Sequence, residues 1–279
     1  MDEIILFGAG NTGKRVYKEL GAQFKICCFL DNDKEKWNTI FDGIDILEPN
    51  LNNIEKYNFQ YILICSVYGK ERIREQLLEL GIAENKIKFK ASNPDILTPF
   101  LKSLQELFAR RGIVGSVAEA GVFQGESAEK INLIFKNETL HLFDTFEGFS
   151  SEDCDIENEW NFSEAKEGQF DDTSVERVMQ RMPYPEKVVI HKGYFPDTAI
   201  DIKEVFSFAR VDLDLYQPTV AALEYFDKYM TKGGVVLVHD YFGEAYKGIK
   251  KAVDDYVSKN TKLNLLPIGD ILSIAIVGY

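Results

Sequence analysis

The chain has no excess of positive charge, no metal-type cysteine spacing and no long apolar run, and each absence removes a class of function. Only 32 Lys and Arg stand against 45 Asp and Glu, a net charge of −13. A phosphate backbone needs a basic footprint, so nucleic acid is not expected as a partner. Cys27, Cys28, Cys65 and Cys154 fall at irregular intervals, and three lie in apolar, strand-like runs where cysteine acts as a small hydrophobe. A reducing, cytoplasmic setting is expected. Met1 leads directly into Ile4-Ile5-Leu6-Phe7 and a glycine turn, so neither a signal peptide nor a membrane span is expected.

What the chain does have is apolar content: 45% of its 279 residues are hydrophobic, enough to fill a core in each of two domains. Short apolar runs at Ile4 to Phe7, Lys25 to Leu30 and Tyr61 to Ser66 alternate with helical spacing at Gly13 to Leu20 and Lys70 to Leu80. Ala91-Ser92-Asn93-Pro94 breaks this pattern, placing a domain boundary near residue 92. A helix is expected from Asp95 to Arg111, with Ile96, Phe100, Leu101, Leu104 and Phe108 on one side. A second series of strands follows, at Ser116 to Glu119, Thr139 to Asp144, Lys187 to His191, Ala209 to Asp212, Val235 to His239 and Leu272 to Val277. The expected architecture is α/β: two Rossmann-like domains, residues 1–92 and 93–279. The long connection at 150–173, bearing Trp160, Phe162 and Phe170, reads as a lid. Within it Asp153-x-Asp155-x-Glu157 has a faint likeness to a calcium loop, without the glycine such a loop needs.

Chemistry-bearing residues gather at strand ends. Gly8-Ala9-Gly10-Asn11-Thr12-Gly13 follows a strand and opens a helix, and Asp31 ends the next strand. This is the dinucleotide fingerprint in its context, with Gly8, Gly10 and Gly13 admitting a phosphate and Asp31 placed for ribose hydroxyls. Tight packing and helix capping would produce the same residues. Val211-Asp212-Leu213-Asp214 and Val238-His239-Asp240 end two further strands, so a parallel sheet brings Asp212, Asp214, His239 and Asp240 to its carboxyl edge, where open α/β sheets do chemistry. Asp214 is a base candidate, or else a cap for the following helix.

Two resemblances extend these readings. The run Phe29 to Lys34 with Phe41-Asp42-Gly43-Ile44-Asp45-Ile46-Leu47 resembles the N-terminal domain of bacterial sugar O-acyltransferases, which implies a sugar-nucleotide ligand for the first ninety residues. Glu119-Ala-Gly121, Phe143-Asp144-Thr145-Phe146-Glu147-Gly148-Phe149, Gly193-Tyr194-Phe195-Pro196-Asp197-Thr198, Arg210 to Tyr216 and Val238-His239-Asp240-Tyr241 resemble the successive motifs of the macrocin O-methyltransferase family, across residues 112–260. That likeness implies a class I methyltransferase fold, S-adenosylmethionine as cofactor and a divalent cation, Mg²⁺ or Mn²⁺. It implies cofactor contacts from Glu119, Gly121, Gly125, Ser127 and Asp144, with Gly193 and Tyr194 toward the adenine. It further implies Asp212, His239 and Asp240 as metal ligands. The family more often has two aspartates where this chain has His239-Asp240, and imidazole suits Mn²⁺ better than Mg²⁺. Unliganded, His239 would be a general base.

The expected function is methylation of a sugar hydroxyl on a glycan, glycolipid or nucleotide-linked sugar, by a chain that can form a homo-oligomer. The rivals are an NAD-dependent oxidoreductase acting on a sugar nucleotide, which lacks a Tyr-x-x-x-Lys pair at the spacing it needs, and a non-catalytic binding protein.

Overall fold

The computed structural model describes residues 2–21, 23–66, 69–90 and 95–279. The chain divides into two units, 1–94 and 95–279; the break expected near residue 92 lies outside the described residues.

The first unit runs β1 (Asp2–Phe7), α1 (Asn11–Leu20), β2 (Phe24–Leu30), β3 (Thr39–Phe41), β4 (Ile44–Leu47), α2 (Leu51–Ile54), β5 (Tyr61–Ile64), α3 (Lys70–Glu79) and β6 (Ile87–Phe89). Its sheet has the order β3-β4-β2-β1-β5-β6, parallel apart from the β3–β4 hairpin. Strand β1 is buried on both faces, which is why it reads as an unbroken apolar run. Ile4 and Leu6 pack with Val16 and Phe29 on one side, and Ile5 and Phe7 with Ile62 and Leu77 on the other.

The second unit runs α4 (Leu97–Arg111), β7 (Ser116–Ala120), α5 (Glu126–Ile134), β8 (Leu140–Asp144), α6 (Ser151–Glu159), α7 (Val175–Arg181), β9 (Val188–Lys192), β10 (Phe206–Val211), α8 (Tyr216–Tyr229), β11 (Met230–Val238), α9 (Lys247–Lys259), β12 (Asn264–Pro267) and β13 (Ile274–Val277). The sheet order is β12-β13-β11-β10-β7-β8-β9. From β9 to β11 all neighbours are parallel, and β13 lies antiparallel between β11 and β12. The class I methyltransferase architecture expected for this half is thus present. Helix α4 starts two residues later than its spacing suggests, because Asp95 Oδ1 accepts the Thr98 N–H and precedes the helix. Strand β10 begins at Phe206 rather than Ala209, since Phe206, Ser207 and Phe208 are all buried. Strand β12, only four residues long, ending in proline and largely exposed, was not anticipated. Residues 150–173, expected as a connection, contain helix α6, whose cap is Ser150 accepting from Asp153 N–H.

Two of the three histidines meet across the β8–β9 pair. His141 Nδ1 lies 3.0 Å from His191 Nε2, and burial lowers both pKa values, that of His191 from 6.5 to about 4. The unfolded chain takes up protons that the folded pair refuses. Stability contributed by this pair is therefore full above pH 6.5 and lost as pH falls toward about 4. Thermal melts across this range should show a shallower acid slope for His191→Gln than for the unaltered chain; identical slopes would contradict this.

Candidate active site

The carboxyl edge where β10, β7 and β8 meet is a topological switch point, because the chain leaves β7 toward β8 and returns on its other side at β10. Three amides extend the ladder just past the strands: Gly121 N–H to Phe143 O, Asp212 N–H to Ala120 O and His239 N–H to Val211 O. They carry Asp212 and His239 into the edge. Gly121 has φ +83, and a Cβ there would lie 1.9 Å from the Asp212 carbonyl oxygen. Glycine is required so that the loop after β7 can abut the backbone after β10. Asp214 and Asp240 both hold left-handed φ values, 60 and 56, conformations that gather at functional sites.

The side chains form one electrostatic chain. Register sets Arg210 beside Glu119, and the guanidinium Nη1 lies 2.7 Å from both Glu119 Oε1 and Asp212 Oδ2. Ser127 Oγ donates to Glu119 Oε1 at 2.5 Å. On the far side, His239 Nδ1 lies 3.0 Å from Asp212 Oδ1 and 3.4 Å from Asp240 Oδ2. Burial would raise Asp212, but Arg210 and His239 outweigh it and hold the carboxyl below the usual range. Asp214 is raised well above its ordinary value by burial, then by the charges of Asp212 and Asp240. Burial pushes Glu119 up to about 7 against the pull of Arg210. Burial works against a charged His239 as well, yet Asp212 prevails and raises the imidazole to about 10.

The donor set fits a cation. His239 Nδ1 is buried without hydrogen-bond geometry to either neighbouring carboxylate, and the ligand atoms of Asp212, His239 and Asp240 lie within 4.8 Å of one another. Neighbouring ligands on a small divalent ion, with bonds of about 2.1 Å, are separated by about 3 Å. The 3.0 and 3.4 Å spacings of His239 Nδ1 from Asp212 Oδ1 and Asp240 Oδ2 match neighbouring ligands on one such ion, and two carboxylates with an imidazole suit Mn²⁺ at least as well as Mg²⁺.

The remaining residues singled out in the sequence divide by what they touch. Asp144 Oδ2 accepts the N–H groups of Val122 and Phe123, and Oδ1 that of Phe146, so this carboxylate organises the glycine loop. Gly125 has φ +81, precedes α5 and packs against Val178. Gly193 donates its N–H to the Asp144 carbonyl, and Tyr194 OH donates to Asp153 Oδ1 on α6. Asp214 is not a helix cap: α8 has no side-chain cap from its own N-terminus, and Glu157 Oε1 takes the Tyr216 N–H at 2.7 Å. The calcium-loop reading fails because Asp153 and Glu157 are buried on helix α6 with partners already. Sequence reasoning missed Glu157, whose partner lies 59 residues away, and gave no role to Arg210. A charged residue inside the strand Phe206-Ser-Phe-Ala-Arg-Val was the available signal.

Segment 150–173 folds onto this edge. Phe170 packs its ring 5.3 Å from Phe123 and from Phe149, and Gln169 donates to Tyr246 OH at 2.7 Å. Trp160, 48% exposed, leans on Phe162 and Tyr216, two residues beyond Asp214.

In the first unit packing explains two of the three glycines. A Cβ on Gly13 would lie 1.7 Å from the Gly8 carbonyl oxygen, and Gly8 has φ +107. Asp31, expected at ribose hydroxyls, accepts from the N–H groups of Ala9 and Asp33. A Cβ on Gly10 meets nothing within 4 Å. A separate cleft of about 810 Å³, lined in part by Asn32, Lys34, Trp37, Glu48, Arg72 and Gln76, opens among the segments that follow β2, β4 and β5.

Residues 98–275 match the family described as macrocin-O-methyltransferase (TylF), and residues 1–88 match one described as C2185-like, N-terminal. Among curated proteins none matches the chain. The solved structure of the O-methyltransferase NovP is similar with a TM-score of 0.53 and 21% identity, over 65% of this chain and 79% of that one. CalS11, a calicheamicin methyltransferase, is similar with a TM-score of 0.50 and 20% identity, over 76% of this chain and 86% of that one. These two likenesses concern the fold. No helix among the described residues is long and apolar enough to cross a membrane.

The glycine geometry separates two substitutions. Gly121→Ala should cost about 3 kcal/mol in denaturant unfolding, whereas Gly10→Ala, at φ −80 with open space around its Cβ, should stay within about 0.5 kcal/mol. Equal losses would contradict these assignments.

Proposed function

Since the chain belongs to the macrocin O-methyltransferase family, we propose that it transfers the methyl group of S-adenosylmethionine to a sugar hydroxyl, aided by a divalent cation, Mg²⁺ or Mn²⁺, on Asp212, His239 and Asp240. The observation that carries this reading is the convergence of Asp212 Oδ1, His239 Nδ1 and Asp240 Oδ2 beside the Gly121 loop. Bound together, the cation would lower the pKa of the acceptor hydroxyl and the sulfonium would present the methyl for in-line attack.

The chain's own residues hold the parts in place. The loop from Gly121 to Gly125, Ser127 at the start of α5 and Asp144 form the cofactor cradle, with Gly193 and Tyr194 toward the adenine. Asp144 meets the ribose with the lone pairs its three backbone donors leave free. Asp214, its carboxyl pKa raised, accepts the hydroxyl proton. His239 is assigned as a ligand rather than the base, because its Nδ1 faces Asp212 Oδ1 at 3.0 Å and Asp240 Oδ2 at 3.4 Å; the charge of Asp212 raises the imidazole above its ordinary value, and a cation taking that place would displace its proton. Segment 150–173 positions the acceptor and excludes water, with the exposed Trp160 face available to a sugar ring. The first unit holds a nucleotide-linked sugar or glycan in its 810 Å³ cleft. The positive φ of Gly8 and the close approach at Gly13 account for both glycines without a nicotinamide cofactor.

Calorimetric titration should show S-adenosylhomocysteine binding the protein with micromolar affinity, and an absence of binding with or without Mn²⁺ would overturn the reading. With an acceptor identified by transfer of labelled methyl groups, Asp214→Asn should keep that affinity and lose at least about 100-fold in kcat. Unchanged kcat would remove Asp214 from the base role.

A further inference from the structure

Arg210 stands in a strand whose six residues are all buried, and its side chain is 7% exposed. One nitrogen, Nη1, serves two carboxylates at 2.7 Å each. The contact with Asp212 is made through Oδ2, which leaves Oδ1 to face His239 Nδ1. An aspartate just past a strand end is otherwise free to rotate and offer either oxygen, or both, to a cation. The guanidinium biases that choice, since a permanently charged donor at 2.7 Å holds Oδ2 toward itself.

Glu119 completes the arrangement from behind. It is fully buried; Oε1 receives Ser127 Oγ and Arg210 Nη1, and Oε2 has no hydrogen-bond partner among the described residues. It has no accessible surface to offer a cofactor. A buried guanidinium is costly without carboxylate partners, and Glu119 is the second one, sharing Nη1 with Asp212.

We infer that Glu119 and Arg210 form a positioning arm for the cation site, holding Asp212 as a one-oxygen ligand, and that Glu119 serves the cation rather than the cofactor. This rests on the reading of Asp212, His239 and Asp240 as a metal site. Both residues act through Asp212, in the way that outer partners orient metal ligands.

The test is titration of the metal-free, full-length protein with Mn²⁺, read by loss of the free-ion electron paramagnetic resonance signal, with S-adenosylhomocysteine affinity measured in parallel by calorimetry. Asp212→Asn should abolish Mn²⁺ binding. Glu119→Gln and Arg210→Lys should each weaken Mn²⁺ by about 10- to 100-fold and broaden the bound-ion spectrum, while cofactor affinity stays within about threefold. Glu119→Gln is nearly isosteric, so it decides the matter if Arg210→Lys fails to melt cooperatively. Mn²⁺ affinity unchanged in folded Glu119→Gln, or a loss confined to the cofactor, would overturn the positioning arm and leave the metal site standing. Failure of the unaltered protein to bind Mn²⁺ would overturn the metal site and the arm together.

Discussion

Four carboxylates, Glu119, Asp212, Asp214 and Asp240, crowd one edge of the second sheet, and the Arg210 guanidinium is what allows them to stay there. Burying like charges together is costly. Arg210 lies 2.7 Å from both Glu119 and Asp212, and His239 faces Asp212 and Asp240. The excess of negative charge that remains is the property a site needs if it is to attract a divalent cation and a sulfonium. The raised pKa of Asp214 comes first from its burial and then from the charges of Asp212 and Asp240.

The acidic edge was legible in the sequence because the topology behind it is restrictive. Apolar strands joined by helix-length connections pair in parallel, so residues just past each strand end share one edge. Asp144, Asp212, His239 and Asp240 follow from that rule, and the family motifs add order and spacing. Gly121 was legible as a special glycine, but the structure ties it to the Asp212 carbonyl, a contact between segments about ninety residues apart that no local pattern encodes. Glu157 was misread for the same reason: its meaning lies in the Tyr216 amide, and nothing near it in the chain announces that partner. Strand β12 was invisible because four residues at a sheet edge, ending in proline, are too short to show a strand period.

The two units share a device that their sequences state only obliquely. In each, a strand leads through glycines into a helix, and the aspartate ending the next strand reaches back to the first loop. Asp31 Oδ2 accepts from Ala9 N–H and Asp144 Oδ2 from Val122 N–H, over the same separation of 22 residues. The wiring tightens a strand-turn-helix whether or not a ligand occupies it. A glycine fingerprint followed by an acid is therefore a statement about backbone packing first, and the neighbouring cluster of Asp212, His239 and Asp240 is what separates the two units chemically.

The most direct measurement of the central claim is a crystal structure of the protein grown with S-adenosylhomocysteine and Mn²⁺, with diffraction recorded at the manganese absorption edge. The expected result is one anomalous peak bounded by Asp212 Oδ1, His239 Nδ1 and Asp240 Oδ2, with the homocysteine chain lying along the Gly121 loop. Cofactor density elsewhere, or an anomalous peak remote from these three residues, would contradict it.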